Sequence, residues 1–473
     1  MKRITAMMMC LLMVAGVLLT SCGNQASSNS SALPELDPGT TESPSENLAD
    51  HPGVEATTPG GFIVPDPKFV SIIGEDRTSA LDFCVRLFQK SVEGGRQVNR
   101  QADGTEGAQF PEDQDQENPS NSVCYTWPEN VMVSPLSVMY ALSMTANGAR
   151  EETLVQMEDV LGMQMDELNA YLKGYRSILP EDEKYKLSIA NSIWLTDDDR
   201  FSVEDDFLKT NEEYYDAGIF KVPFNDATCK EINAWVEEHT DGMVKDILNK
   251  IPAEAVMYLV NAMAFDAEWQ TIYKENQIRP GVFHAADGNE QEVTMMHSDE
   301  YIYLHDDDAT GFVKDYADGA YAFVALLPNE GMSVDEYVQS LTADKLEALL
   351  SNREEKTVKA TLPKFESEYA TEMGELLQEM GMTDAFNEAS ADFTGLGTST
   401  DGNLYISRVL HKTFIAVDER GTKAGAATVV EMAEGCAILE EEIFVTLDRP
   451  FVYMIIDTRV NMPLFMGVLR GVE

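Results

Sequence analysis

Positive charge is in short supply. Only 34 lysines and arginines stand against 82 aspartates and glutamates, a formal charge of −48 over 473 residues. That imbalance excludes nucleic acid and anionic membrane faces as charge-driven partners, because both would repel the chain. Histidine is scarce too, six in all. Those of the folded part, His239, His284, His297, His305 and His411, form no i, i+4 ligand pair. No HExxH, no GxSxG elbow and no phosphate-cradling glycine loop occurs. The reading is therefore not an enzyme, with no metal and no cofactor implied. Of the six cysteines, Cys10 and Cys22 are N-terminal. Cys84, Cys124, Cys229 and Cys436 show no CxxC and no metal spacing. One or two disulfides are compatible with four thiols, and spacing does not assign them. Beyond the N-terminus no apolar run is long and unbroken enough to span a bilayer.

What is present begins with Lys2 and Arg3 and an apolar run from Ile4 to Leu19, the pattern of an export signal. Leu19-Thr20-Ser21-Cys22 then resembles the bacterial lipobox. We expect residues 1–21 to be a lipoprotein signal peptide and Cys22 to carry the lipid. Acyl chains, not a spanning helix, would then hold the protein to the membrane. The expected location is the cell surface, lipid-anchored and extracytoplasmic. Without Lys2 and Arg3, 32 basic residues face 82 acidic ones, near −50. Residues 22–61 are rich in Ser, Pro, Asn and Thr and bury too little apolar surface to fold, which reads as a disordered tether. The globular domain is expected over 62–473, and an apolar content of 44% supplies its core.

Within that domain, Leu81, Cys84, Val85, Leu87 and Phe88 recur at helical spacing from Ser79 to Val92. A polar, acidic loop follows over about 93–129. In "NVMVSPLSVMYALSMTANGA" a short strand leads to Ser134 as N-cap and Pro135 at the first helical position, with Gly148 as the stop. A second helix, Glu151 to Leu161, stops at Gly162. Strand-like runs recur in "KLSIANSIWLT", "AVMYLVNAMAFDAEW", "YAFVALLP" and "VKATLPKF". "ATEMGELLQEMG" reads as a helix with Met373, Leu376, Leu377 and Met380 on one face and Gly381 at its end. The segment "EEIFVTLDRPFVYMIIDTRVNMPLFMGVLRG" is dense β. Runs of helices, then of strands, predict an α+β fold.

Several of these segments, in this order, resemble the serpins, the serine-protease-inhibitor family. They are "NVMVSPLSVMYALSMTANGA", "YLVNAMAFDAEW", "EVTMM", "LPKF", "HKTFIAVDERGTKAGAAT", "FVTLDRPFVYMI" and "PLFMG". The resemblance covers about Ala80 to the C-terminus. It implies helices plus a large central mixed β-sheet, smaller sheets and an exposed reactive-centre loop. A protease cuts that loop, forms an acyl-enzyme, and is carried away as the freed loop inserts into the main sheet. By this resemblance Ser134, Ser137, Asn261 and His411 correspond to the shutter beneath the place where the sheet opens. Trp269 corresponds to the breach, where insertion begins, and Lys364 and Glu419 pair across it. The implied partner is a serine protease, and the implied state a monomer.

The loop itself can be read from its residues. Counting from Thr422, one strand face carries Thr422, Ala424, Ala426 and Thr428, all small and uncharged. Lys423, Gly425 and Ala427 fall on the other face. Glu419 and Gly421 precede them, with Gly421 read as hinge freedom. No proline interrupts the run, so no ladder bond would be lost on insertion. Counting from the hinge puts the scissile bond at Gly435–Cys436. Counting back from Pro450 puts it nearer Leu439–Glu440. The candidates are therefore Gly435, Cys436, Ala437, Ile438 and Leu439. No lysine or arginine lies between Ala424 and Leu447, which leaves a trypsin-like pocket nothing to grip. Small and aliphatic residues suit elastase-like or subtilisin-like proteases. Cys436 reads as a small residue whose thiol the neighbouring glutamates would render less acidic. The alternatives are a non-inhibitory serpin-fold binding module and a cross-class inhibitor of cysteine proteases.

Overall fold

The computed structural model describes residues 77–94, 130–179, 185–422 and 442–472. The first helix, α1 (Arg77–Gly94), leads to strand β1 (Val131–Val133) and helices α2 (Pro135–Ala146), α3 (Glu151–Leu161) and α4 (Met165–Ser177). Next come β2 (Tyr185–Thr196), β3 (Phe201–Val203), α5 (Asp205–Tyr215), β4 (Gly218–Val222), α6 (Asp226–His239) and β5 (Met257–Glu268). Four strands follow, β6 (Ile278–His284), β7 (Glu290–His305), β8 (Ala309–Asp315) and β9 (Tyr321–Pro328), then α7 (Val334–Ser340) and α8 (Ala343–Ser351). The rest is β10 (Glu354–Pro363), β11 (Phe365–Glu372), α9 (Gly374–Glu379), β12 (Gly397–Ser399), β13 (Leu410–Val417), β14 (Gly421–Thr422), β15 (Ile443–Thr446), β16 (Phe451–Asp457) and β17 (Met462–Leu469).

Local chemistry explains the starts and stops. Ser134 caps α2, its hydroxyl accepting from the Ser137 N–H, and Pro135 occupies a first-turn position that needs no donor. The helix ends at Ala146, with Asn147 rather than Gly148 as its C-cap. Gly148 instead lies so close to Leu396 that a side chain would collide with it. Helix α3 ends on Gly162 in the left-handed region, φ 79°, where its N–H reaches Glu158 O. The "ATEMGELLQEMG" segment departs from its helical pattern. Ala370 to Glu372 belong to β11, paired residue for residue with β13, and the helix shrinks to Gly374–Glu379. A full ladder of tertiary hydrogen bonds outweighs a local periodicity.

Two sheets dominate. One has nine strands in the order β1-β17-β16-β9-β8-β7-β10-β15, with β6 paired to β7. The other is six-stranded and mixed, in the order β11-β13-β14-β5-β2-β4. β3 and β12 form a separate pair. Every residue of β9, β16 and β17 is buried, as their continuous apolar runs require. Helix α2 packs against β5 of one sheet and β17 of the other, so its N-terminus lies at the heart of the molecule. Cys84 and Cys229 are free and buried, so neither forms a disulfide, and burial makes both thiols harder to ionise. Among the described residues no helix is long and apolar enough to cross a membrane.

Candidate functional site

The six-stranded sheet is broken. β5 and β13 are parallel neighbours whose only link, among the described residues, is the two-residue strand β14 at one end. Thr422 pairs with Val417 on one side and Ala267 on the other, and Gly421 pairs with Glu268. Away from that end the inner edges of β5 and β13 face a cavity of about 500 Å³. Its walls mix apolar groups such as Val138, Leu142 and Val260 with Ser137, Asn261 and His411.

Beneath the break the start of α2 is hydrogen-bonded to both halves. The Ser134 N–H donates to His411 Nε2 on β13 at 3.1 Å, and the Ser134 hydroxyl donates to Leu464 O on β17 at 2.9 Å. On the other half, the Ser137 hydroxyl donates to Asn261 Oδ1 on β5 at 2.5 Å. Asn261 Nδ2 in turn donates to Asn191 Oδ1 on β2 at 2.9 Å, and Asn191 Nδ2 to Tyr215 O at 2.9 Å. His411 is buried, and burial pushes its pKa down to about 4, so it is neutral at pH 7 and its Nε2 is free to accept. One polar chain thus crosses under the break through Ser134, Ser137, Asn261 and His411. Asn191 extends it and was not foreseen. Its sequence signal is a lone amide in the apolar run "SIANSIWL".

At the closed end a turn delivers the chain into the break. Asp418 Oδ1 accepts from the N–H groups of Arg420 and Gly421 at 2.7 and 3.2 Å, and the Asp418 N–H donates to Gly421 O at 3.0 Å. Trp269 Nε1 donates to Asp418 O at 2.8 Å, the Tyr273 N–H to Glu419 O at 3.0 Å, and the Trp269 N–H to Arg420 O at 2.8 Å. The hydroxyls of Tyr316 and buried Thr422 are hydrogen-bonded at 2.6 Å. Trp269 stacks on Tyr316, ring centroids 4.5 Å apart. Lys364 and Glu419 form an ion pair whose ammonium holds the Glu419 carboxyl below its ordinary range. Both partners are about one-third exposed, so the pair adds little stability. Gly421 has a reason other than hinge freedom. A Cβ there would strike the carbonyl oxygen of Ala267, because β14 is pressed against β5.

Ala424, Gly425, Ala426, Ala427 and Thr428 lie outside the described residues. So do Gly435, Cys436, Ala437, Ile438 and Leu439, the lipidation candidate Cys22, residues 1–61 and almost all of the 93–129 insertion. Among the described residues no cluster of His, Cys, Asp and Glu is arranged to hold a metal ion.

Comparison with known proteins bears on this geometry. The family model for serpin (serine protease inhibitor) matches residues 121–471. An uncharacterized serpin-like protein of Thermococcus kodakarensis is 35% identical over 349 residues, 72% of this chain and 80% of that protein. Iris of Ixodes ricinus is 33% identical over 353 residues, 72% and 92% of the two chains. The native-state crystal structure of the thermophilic serpin tengpin superposes with a TM-score of 0.72 at 44% identity, covering 88% of this chain and 97% of that one. Its latent state gives 0.69 at 41% identity, over 85% and 99%. A broken six-stranded sheet, a turn feeding into the break and a family match across most of the chain agree: this protein belongs to the serpin family, whose members are generally protease inhibitors rather than enzymes.

Proposed function

We propose that this serpin is inhibitory and traps a serine protease by inserting its cleaved loop between β5 and β13. One observation carries the reading, the register at β14. Thr422 already sits between Ala267 and Val417. β14 is antiparallel to both neighbours, so each step along the loop matches one step back along each of them. Continued without a bulge, Ala424 falls between Phe265 and Ile415, Ala426 between Met263 and Thr413, and Thr428 between Asn261 and His411. Residues directly opposite in a pair share a face. Phe265, Met263, Thr413, Ile415 and His411 are all buried. In an inserted strand the small, uncharged face of the loop would therefore be the one turned inward. Lys423, Gly425 and Ala427 would turn outward, where a charge costs little. Each ladder bond formed contributes on the order of 1 kcal/mol, so a strand running the length of β13 would gain roughly 10 kcal/mol.

The target class follows from the loop's chemistry. Gly435 to Leu439 offers only small and aliphatic side chains beside a cysteine, which suits an elastase-like or subtilisin-like pocket. The run Glu440 to Glu442 favours proteases with basic rims. We further propose a lipid anchor at Cys22 and residues 22–61 as tether, which would station the inhibitor at a bacterial cell surface.

The test is incubation with elastase, subtilisin, chymotrypsin, trypsin and a papain-like protease, followed by denaturing gels and mass measurement of the released C-terminal peptide. The expected result is a denaturant-stable complex with elastase or subtilisin and a peptide beginning within residues 436–440. Cleavage by every protease with no complex and no gain in heat resistance would overturn inhibition and leave a serpin-shaped binding module. A complex with the papain-like enzyme alone would move the target to cysteine proteases.

A further inference from the structure

Behind the turn lies a buried ion pair between two strands of the nine-stranded sheet. Lys314 Nζ on β8 is 2.8 Å from Glu300 Oε1 on β7. Lys314 is 2% exposed and Glu300 8%. The Ser298 hydroxyl donates to the same carboxylate oxygen at 2.6 Å. The ammonium also lies 4.4 Å from the ring centre of Tyr273 and 5.4 Å from that of Trp269, both within reach of cation–π attraction. Burial alone would drive Lys314 toward neutrality, but Glu300 outweighs it and holds the amine's pKa above its ordinary value.

Those two rings belong to the residues that hold the turn. Trp269 and Tyr273 donate to three successive carbonyls, Asp418 O, Glu419 O and Arg420 O. Three carbonyls of the turn therefore hang from two residues that share one buried cation. A position that needed only filling would be better served by an apolar side chain, since burying two charges costs several kcal/mol that a hydrophobic pair avoids. The charged pair does what an apolar one would not. It fixes two ring planes by directional attraction, and with them the N–H groups that grip the turn.

We propose that the Glu300–Lys314 pair is a positioning element that clamps Trp269 and Tyr273, and so sets how readily the Asp418–Thr422 turn releases the loop into the break. The clamp stands on geometry alone. Its effect on the loop rests on the insertion reading above.

The experiment uses the full chain as wild type, Lys314→Met and Lys314→Arg, with hydrogen-exchange mass spectrometry over peptides spanning 269–273 and over β16 and β17. Lys314→Met removes the cation at similar volume, whereas Lys314→Arg keeps it over the rings. Exchange at Trp269 and Tyr273 is expected to rise about tenfold in Lys314→Met, with β16 and β17 nearly unchanged and Lys314→Arg close to wild type. Conversion of the uncleaved protein to a heat-resistant, loop-inserted form should quicken several-fold in Lys314→Met. Unchanged exchange at 269–273 overturns the clamp whatever the protein does to proteases, and a uniform rise across all peptides overturns it by reducing the pair to a structural role. Faster local exchange with an unchanged conversion rate refutes the link to insertion. Should wild type gain no heat resistance on loop cleavage, the insertion reading and that link fail together, while exchange still judges the clamp. If Lys314→Met does not fold, Glu300→Gln removes the anion at constant shape and is expected to raise exchange at the same two amides.

Discussion

The β16–β17 hairpin and the β5–β13 break are opposite solutions in one molecule. In the two strands of the hairpin every residue is buried, each strand has partners on both sides, and Gly467 exists because the Tyr453 ring leaves no room for a side chain. Phe451 and Tyr453 pack with Phe283, Phe365 and Phe323 in one aromatic cluster. In the break, among the described residues, two strands of one sheet meet only through two residues, and a cavity lined in part by Ser137, Asn261 and His411 runs beside them. Paired backbone and dense packing leave the hairpin nothing to gain by moving. The break keeps pairing capacity and volume open for one more strand. On the proposed insertion reading, stability and change of shape fall to different sheets, with α2 touching both.

The sharpest way to break this contrast is to load the inward loop face. Thr428→Arg would place a guanidinium between Asn261 and His411. It is expected to abolish trapping, by about 100-fold or more, while cleavage continues, because burying an unpaired charge costs several kcal/mol. Titrating the protease to find the inhibitor consumed per complex checks this, and undiminished trapping would refute the register. The converse is Phe451→Ala in the hairpin. It should cost about 3–5 kcal/mol in denaturant unfolding yet leave the yield of complex per folded molecule unchanged.

Acid sharpens the comparison at His411. Burial holds its pKa at about 4 in the folded protein, against 6.5 when free. The unfolded chain therefore binds a proton that the folded one refuses. This contribution is intact above pH 6.5 and is lost as pH falls toward 4, by about 3 kcal/mol at the acid limit. His411→Gln should flatten that part of the pH–stability curve. If wild type and variant lose stability in parallel between pH 6.5 and 4, His411 is not the group responsible. The smallest effect belongs to Lys364→Ala. Its ion pair with Glu419 is partly exposed, and the expected loss in thermal unfolding is roughly 0–1 kcal/mol.

Much of this was readable from residue order, where the signals are local. Ser134-Pro135 announces the start of α2, and Gly162 ends α3 in the conformation that suits glycine. The apolar runs of β9, β16 and β17 announce burial on both faces. Local signals misled at "ATEMGELLQEMG", where pairing between β11 and β13 overrode helical periodicity. Lys314 gave no warning, because a lysine beside an aspartate, here Asp315, ordinarily points to solvent. It is buried because β7 and β8 close over it beneath Trp269 and Tyr273.

The sequence by itself determined the start of α2 at Ser134, the end of α3 at Gly162, the α+β class, the charge balance and the alternation of small residues after Thr422. These depend on neighbours one to four positions apart. Only the tertiary structure decided that β5 and β13 stand apart, that Thr422 sits between them in a defined register, and that Asn191, Glu300 and Lys314 join the site. Each of those facts couples residues far apart in the chain. A strand's alternation says which side chains share a face, but which face is buried is set by the strands on either side of it.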